Sequence, residues 1–336
     1  MYKFRNDYSE IAHDSVLDAL IKAKEEQNIG YGLDHHSANA AKMIKDIFKC
    51  PSVDVHFLVG GTQTNMTFIS YCLKDYEAVI ACKSAHINVH ETGSIEATGH
   101  KVYTLDGRDG KLYPEDVLKA VSYHSDEHMV KPRLVYISNS TETGTIYKKQ
   151  ELIDLYKVCK ENDLLLFIDG ARLACALECS ENDLEKEDIA KYADAFYLGG
   201  TKNGLMFGEA LVIVNKDLQI DFRYQIKNKG AMLAKGSVTG IQFEAILKDN
   251  LYFEIARNAN KMANLLYKYL LDLGYEVDKV YTNQLFVTVN NSLAQKLIDN
   301  FGCELWRDLD DRKTIRFVTS FKTKEEDIKA LYEFLK

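Results

Sequence analysis

Between residues 53 and 214 the chain alternates short apolar runs with stretches of helical spacing, and this rhythm constrains the fold more than any other feature. The apolar runs predict strands at 53–59, 78–82, 101–105, 134–138, 164–168, 195–198 and 210–214. Apolar residues spaced three and four apart predict helices at 64–73, 90–98, 114–122 and 149–162 among them. Such alternation specifies an α/β fold: a three-layer, mostly parallel sheet with right-handed crossovers and helices on both faces.

Two helical stretches, 15–26 and 38–48, precede this region and are joined by the glycine-bearing turn 29–34. Beyond residue 245 the texture changes. A long helix at 243–273 leads to a strand at 284–289, a helix at 293–301, a strand at 314–317 and a helix at 325–335. The expected organisation is a large domain over residues 45–245 and a smaller α+β domain from 246–336 with the N-terminal helices of 1–44. No Pro/Gly-rich linker divides them, so they should pack as one body with a cleft between.

A net charge of −8 with no basic stripe argues against nucleic acid and anionic membranes as partners. No stretch approaches transmembrane length, and the first ten residues carry no apolar signal core, so a cytoplasmic location is expected. The seven cysteines include no C-x-x-C pair, and several sit in apolar runs, as expected of reduced thiols packed in a core.

Four strings offer chemistry. F-I-D-G-A-R (Phe167–Arg172) and G-G-T-K-N-G (Gly199–Gly204) each follow a strand-like run. Asp169 and Lys202 therefore belong at the carboxyl ends of strands, where α/β sheets hold ligands. An acid at the end of an apolar strand and a lysine on a loop of small residues fit a cofactor carried as a lysine Schiff base, its pyridinium nitrogen paired to the acid. That cofactor would be pyridoxal phosphate (PLP). A plainer role for Arg172 is an ion pair with Asp169, three residues before it, that fixes the βα loop. G-G-T-Q-T-N (Gly60–Asn65) joins a strand to a helix, where the free N–H groups of Gly61, Thr62 and Gln63 suit a phosphate. It is neither a P-loop nor a dinucleotide fingerprint, and a simple helix cap would also explain it.

S-A-H-I-N-V-H-E-T-G (Ser84–Gly93) puts His86 at the head of the next βα segment, on the same edge, as a candidate to stack on a flat ring. His86 and His90 lack the third ligand that a metal would need, so no metal is expected. Lys227, Lys229 and Lys235 are further cationic candidates. Arg316 interrupts an apolar strand, a costly position without an anionic partner and a suitable one for binding a substrate carboxylate.

Taken in order, Y-G-L-D (Tyr31–Asp34), G-G-T-Q-T-N, A-H-I, S-N-S-T-E-T-G-T (Ser138–Thr145), I-D-G-A-R and G-T-K-N-G resemble the threonine aldolase / β-eliminating lyase family of PLP enzymes. The resemblance runs from about residue 4 to about 320 and implies the aspartate-aminotransferase type of fold. It implies that Lys202 carries the cofactor, Asp169 meets its ring nitrogen, His86 stacks on it, and Gly61, Thr62 and Gln63 hold its phosphate. Arg172 and Arg316 would meet cofactor or substrate oxygens, with the carboxylate mainly on Arg316, and Asn6, Ser9 and Tyr31 would lie on the substrate side. It also implies a homodimer or homotetramer with active sites at the subunit interface, Tyr31 and the Lys227/Lys229 region serving a neighbour.

The implied reaction is low-specificity cleavage of threonine or allo-threonine to glycine and acetaldehyde. Two departures bear on it. The loop 138–145 has no histidine, unlike that of many threonine aldolases, and the early motif reads R-N-D-Y-S at 5–9. β-Elimination or another PLP reaction on an amino acid therefore stays open beside aldol cleavage, in which His86 or a bound water would serve as the base, as does a catalytically inactive scaffold.

Overall fold

The computed structural model describes residues 2–336. Seven strands form the large sheet: β1 (Asp54–Leu58), β2 (Glu77–Cys82), β3 (Lys101–Leu105), β4 (Lys131–Ser138), β5 (Leu165–Asp169), β6 (Ala195–Gly199) and β7 (Glu209–Ile213). Their order is β1-β7-β6-β5-β4-β2-β3. All run parallel except β7, which is antiparallel to both β1 and β6. The reason is connection length: the short loop from β6 to β7 leaves no room for a crossover helix, so the chain must turn straight back.

Every residue of β2, β5, β6 and β7 is buried, which explains why these strands read as unbroken apolar runs rather than alternating ones. Two clusters cover the faces. One gathers Ile44, Phe48, Leu155, Ile189 and Phe243, the other Phe68, Ile69, Phe222 and Ile226. Phe68 meets Phe167 of β5 at 4.6 Å between ring centroids. Burying each such aromatic contributes about 1.5–3 kcal/mol.

A second sheet is antiparallel. It contains β8 (Glu276–Val277), β9 (Gln284–Asn290), β10 (Glu304–Leu309) and β11 (Arg312–Val318), in the order β10-β11-β9-β8. The helices Leu251–Asp272, Asn291–Phe301 and Glu325–Leu335 pack on it through Leu266, Leu297 and Leu331. Phe4 joins this core, its N–H bonded to the Phe301 carbonyl and its own carbonyl to the Val318 N–H. The helices Asp14–Lys22 and His35–Ile47, by contrast, bury Val16, Ala40 and Ile44 against the large sheet's layer. The N-terminal segment thus reaches both bodies.

Two expectations require correction, and one strand was not anticipated. The helix anticipated over 243–273 is two helices, Ser237–Leu247 and Leu251–Asp272, broken where Asp249 and Asn250 take left-handed φ of 52° and 63°. Asp and Asn enter that region at lower cost than most residues. The helix anticipated over 90–98 is instead a short helix, His86–Val89, and a 3₁₀ turn, Glu96–Thr98, separated by positive φ at Thr92 and Gly93. Strand β10 was not apparent in the sequence because its side chains are mostly exposed and a bulge between Leu305 and Arg307 breaks its alternation.

Candidate active site

A cleft of about 760 Å³ opens at the carboxyl edge of the large sheet, walled on its far side by β9, β10 and β11 of the small one. Asp169 is the last residue of β5, Lys202 lies three residues beyond β6, and Glu209 begins the returning β7. All three line the cleft, with His86, Arg172 and Arg316.

Asp169 is buried, and its carboxylate accepts hydrogen bonds from the Tyr136 hydroxyl, Asn65 Nδ2 (3.3 Å) and the Ala171 N–H (3.0 Å). Burial alone would raise its pKa. The charge of His86 and hydrogen bonds from Tyr136, Tyr197 and Ala171 outweigh it and hold Asp169 below the usual carboxylate range. The sheet edge thus keeps an ionised acid in a desolvated place.

Asn65 links this acid to a second one. Its Nδ2 also reaches Glu91 Oε1 at 2.7 Å, and the same oxygen receives His86 Nδ1 at 2.8 Å. Ser94 Oγ holds the other Glu91 oxygen at 2.8 Å. Glu91 therefore fixes the His86 ring and directs its Nδ1 away from solvent, leaving the ring face to the cleft.

Lys202 sits among charges, with its Nζ 6.0 Å from the Tyr8 ring centroid. Burial and the Arg172 charge lower its pKa, while Asp7, Asp169 and Glu209 act in the opposite direction without cancelling the shift. Glu209 accepts the Gly200 N–H at 3.0 Å, and burial pushes its carboxyl up to about 8. An amine that releases its proton readily beside an acid that holds one is an arrangement suited to nucleophilic chemistry.

At the opposite end, Gly60 precedes the helix Gly61–Cys72. The first backbone bond into that helix is Thr64 N–H to the Gly60 carbonyl, and among the described residues the N–H groups of Gly61, Thr62 and Gln63 meet no acceptor. A Cβ added at Gly60 would meet nothing within 4 Å, so the approach to these donors is open. Gly61 and Thr62 line the cleft. The Gln63 side chain folds back, its Oε1 accepting the Val59 N–H at 3.2 Å.

The two arginines differ in state. Arg172 is spent on Asp7, its Nε and Nη2 donating to the two carboxylate oxygens at 2.7 and 3.0 Å, while Asn283 Nδ2 adds a third bond at 2.9 Å. The local Asp169–Arg172 pair expected as the plainer reading does not form: Arg172 pairs with Asp7, far away in sequence, and Asp169 bonds to Tyr136, Asn65 and the Ala171 N–H. Burial would raise the Asp7 carboxyl, but the charges of Arg172 and Lys202 hold it low. Replacing Asp7 with alanine should destabilise the protein by about 3–5 kcal/mol in chemical denaturation, because a buried guanidinium loses its counter-charge. The folded-state pKa is depressed, so this stabilisation is fully present above the ordinary value of 3.8 and is lost as pH falls through the folded value. A wild-type-like midpoint for Asp7→Ala at neutral pH would refute this.

Arg316 retains capacity. It pairs with Glu304 across the β10–β11 ladder and donates to Gln284 Oε1 at 3.2 Å, but its buried Nε has no partner. The bulge in β10 places Trp306 in the cleft wall, 5.2 Å from the guanidinium.

Three expected substrate-side residues lie elsewhere. Asn6 Oδ1 accepts the Tyr8 N–H (3.0 Å) and the Ser9 hydroxyl (2.8 Å), so both close a local turn that presents Tyr8 to the cleft instead. Tyr31 borders a separate cavity of about 290 Å³ with His56 and Arg223, and Lys227 Nζ stands 4.9 Å from its ring. Among the described residues the grouping closest to a metal-ligand set is Glu26, His35 and His36, but the His36 nitrogens already meet Glu26 (2.7 Å) and Glu244 (2.5 Å). Sequence reading did not assign roles to Asp7, Glu91, Glu209, Glu304 or Trp306. Glu209 alone left a signal, an acid opening the apolar run E-A-L-V-I.

A family model described as beta-eliminating lyase matches residues 4–292. The chain belongs to the β-eliminating lyase family. Within it, the chain is 32% identical over 334 residues to a low specificity L-threonine aldolase of Pseudomonas sp. (strain NCIMB 10558), covering 97% of this chain and 94% of that one. It is similar to a solved structure of a Leishmania major threonine aldolase, with 46% identity, a TM-score of 0.98, and coverage of 100% and 98%. A mutant aspartate aminotransferase of Thermus thermophilus shares the fold, with a TM-score of 0.71 at 15% identity over 97% of this chain and 88% of that one. No helix among the described residues is long and apolar enough to cross a membrane.

Proposed function

We propose that this β-eliminating lyase family member is a PLP-dependent aldehyde-lyase that cleaves β-hydroxy-α-amino acids, threonine and allo-threonine among them, to glycine and an aldehyde. The observation that carries the proposal is the convergence in one cleft of Lys202, an ionised buried Asp169, the open helix N-terminus at Gly61 and an Arg316 with an unpartnered nitrogen. These residues fit the cofactor. The amides of Gly61, Thr62 and Gln63 would hold its phosphate, Asp169 its ring nitrogen, the His86 face its ring and Lys202 Nζ its carbonyl carbon. When bound, PLP supplies an electron sink that lets a bond at the substrate α-carbon break.

The chain's own residues do the rest. Asp169 would offer its negative charge to the ring nitrogen, since the charge of His86 and its own hydrogen bonds favour the ionised form. Lys202 moves protons at Nζ, its basicity lowered by burial and by Arg172. Arg172, tied to Asp7, supplies charge rather than a free fork. Arg316 would bind the substrate carboxylate, exchanging Glu304 for it. Arg316→Ala should therefore raise KM for threonine by about 10- to 100-fold, the worth of one or two charge-assisted hydrogen bonds, with a smaller change in kcat. An unchanged KM would remove Arg316 from this role.

The proposal includes a homo-oligomer in which Tyr31 and Lys227 reach a neighbouring cleft. Support comes from the apolar groups left exposed near Tyr31, namely Ile29, Leu33 and Tyr224. β-Elimination is the second reading, favoured by the histidine-free loop 138–145. The two separate by product. Incubation of the PLP-loaded protein with L-threonine and L-allo-threonine should yield glycine and acetaldehyde by NMR. Ammonia and a keto acid, with no glycine from either isomer, would overturn aldol cleavage.

A further inference from the structure

Aldol cleavage requires a base at the β-hydroxyl, and the loop 138–145 offers no histidine for it. The other groups at this end of the cleft are at least partly engaged. His86 gives Nδ1 to Glu91, whose two oxygens also take Asn65 and Ser94. Glu142 receives the His86 N–H (3.0 Å) and the Ser138 hydroxyl (2.7 Å) on one oxygen.

His90 differs. It caps the short helix His86–Val89, its N–H bonded to the His86 carbonyl at 2.9 Å, and lies one turn from His86 with ring centroids 5.5 Å apart. Its ring lines the cleft, and among the described residues neither ring nitrogen has a hydrogen-bond partner. It shares that lining with His86, Lys202, Arg316 and Glu304, and so with both the lysine and the arginine proposed to hold the substrate carboxylate.

Resting on the reading above, we infer that His90 is the catalytic base that takes the β-hydroxyl proton. In the cleavage direction a ring nitrogen of His90 accepts the proton as the O–H pair becomes the second bond of the aldehyde. The Cα–Cβ bond breaks with its electron pair left at Cα, and a proton replaces Cβ there to give glycine. Partial burial and the positive charges of His86, Arg316 and Lys202 lower the His90 pKa, with Glu304 opposing, so the ring is neutral and able to accept at physiological pH.

The test uses the PLP-loaded His90→Gln and His90→Asn proteins with two readouts. One is kcat and KM for cleavage of L-threonine and L-allo-threonine. The other is exchange of a glycine α-hydrogen in D₂O by NMR, which needs Lys202 but no group at a β-oxygen. The expected result is a fall in cleavage kcat of about 10²–10⁴-fold, with KM and glycine exchange within a few-fold of wild type and the acidic limb of the cleavage pH profile lost. Variants that cleave at the wild-type rate, or that lose both activities in parallel, overturn the inference, as does the same split produced by Glu142→Gln alone. If the wild type exchanges glycine but cleaves neither isomer, the aldolase reading fails and the role of His90 with it. If it cleaves both while the His90 variants are unimpaired, only this inference fails.

Discussion

Replacing Lys202 with alanine should lower threonine cleavage by roughly 10⁴- to 10⁶-fold, the scale on which enzymes lose rate when a covalent catalytic group is removed. The physical basis is local. Lys202 stands in a loop of small residues after β6, is desolvated, and has Arg172 close enough for its charge to disfavour the ammonium. Both effects raise the share of neutral amine, the form able to attack a carbonyl. A second readout makes the prediction specific. Borohydride treatment of the PLP-loaded wild type should leave the cofactor's mass on the peptide containing Lys202, and none of it in Lys202→Ala. A label on Lys227, Lys229 or Lys235 would move the site elsewhere.

Asp169 carries the second large effect. Asp169→Ala should reduce cleavage by about 10²–10³-fold, comparable to removing one preorganised electrostatic group from an active site, and should weaken PLP retention on dialysis. Asp169→Asn separates charge from shape. The amide oxygen can still accept the Tyr136 hydroxyl, but no negative charge faces the ring nitrogen. If charge is what matters, Asn should fall close to Ala. Activity for Asp169→Asn within about five-fold of wild type would mean that hydrogen bonding, not ionisation, is the contribution, against the electrostatic argument.

Much of the large sheet was legible because its strands are buried on both faces. Their unbroken apolar runs end at the residues where polar chemistry begins: Asp169 closes β5, and the Lys202 loop follows β6. The helix over 325–335 and the strand over 101–105 were readable to the residue, since their periodicity is undisturbed. What escaped is informative in each case. β10 is an exposed edge with a bulge, so it had no alternation to detect. The break at Asp249–Asn250 rests on two residues entering a left-handed conformation that their types permit but do not require.

Arg316 shows the boundary between sequence and structure most clearly. An arginine inside an apolar strand called for an anion, and Glu304 lies directly across the ladder. The reading of Arg172 left two outcomes open, substrate contact or a local pair with Asp169, and its actual partner, Asp7, is 165 positions away. Glu91 and Asn65, which orient His86 and Asp169, carry no local signature either.

The sequence by itself determined the α/β class, the sheet edge that bears the chemistry, and the lysine and acid that stand there, because apolar periodicity and strand termini are properties of neighbouring residues. Only the tertiary structure decided which arginine keeps a free nitrogen, which carboxylates are ionised and which histidine faces the cleft unpaired. A buried charge takes its state from whatever packing brings within a few ångströms, and those neighbours come from segments far apart along the chain.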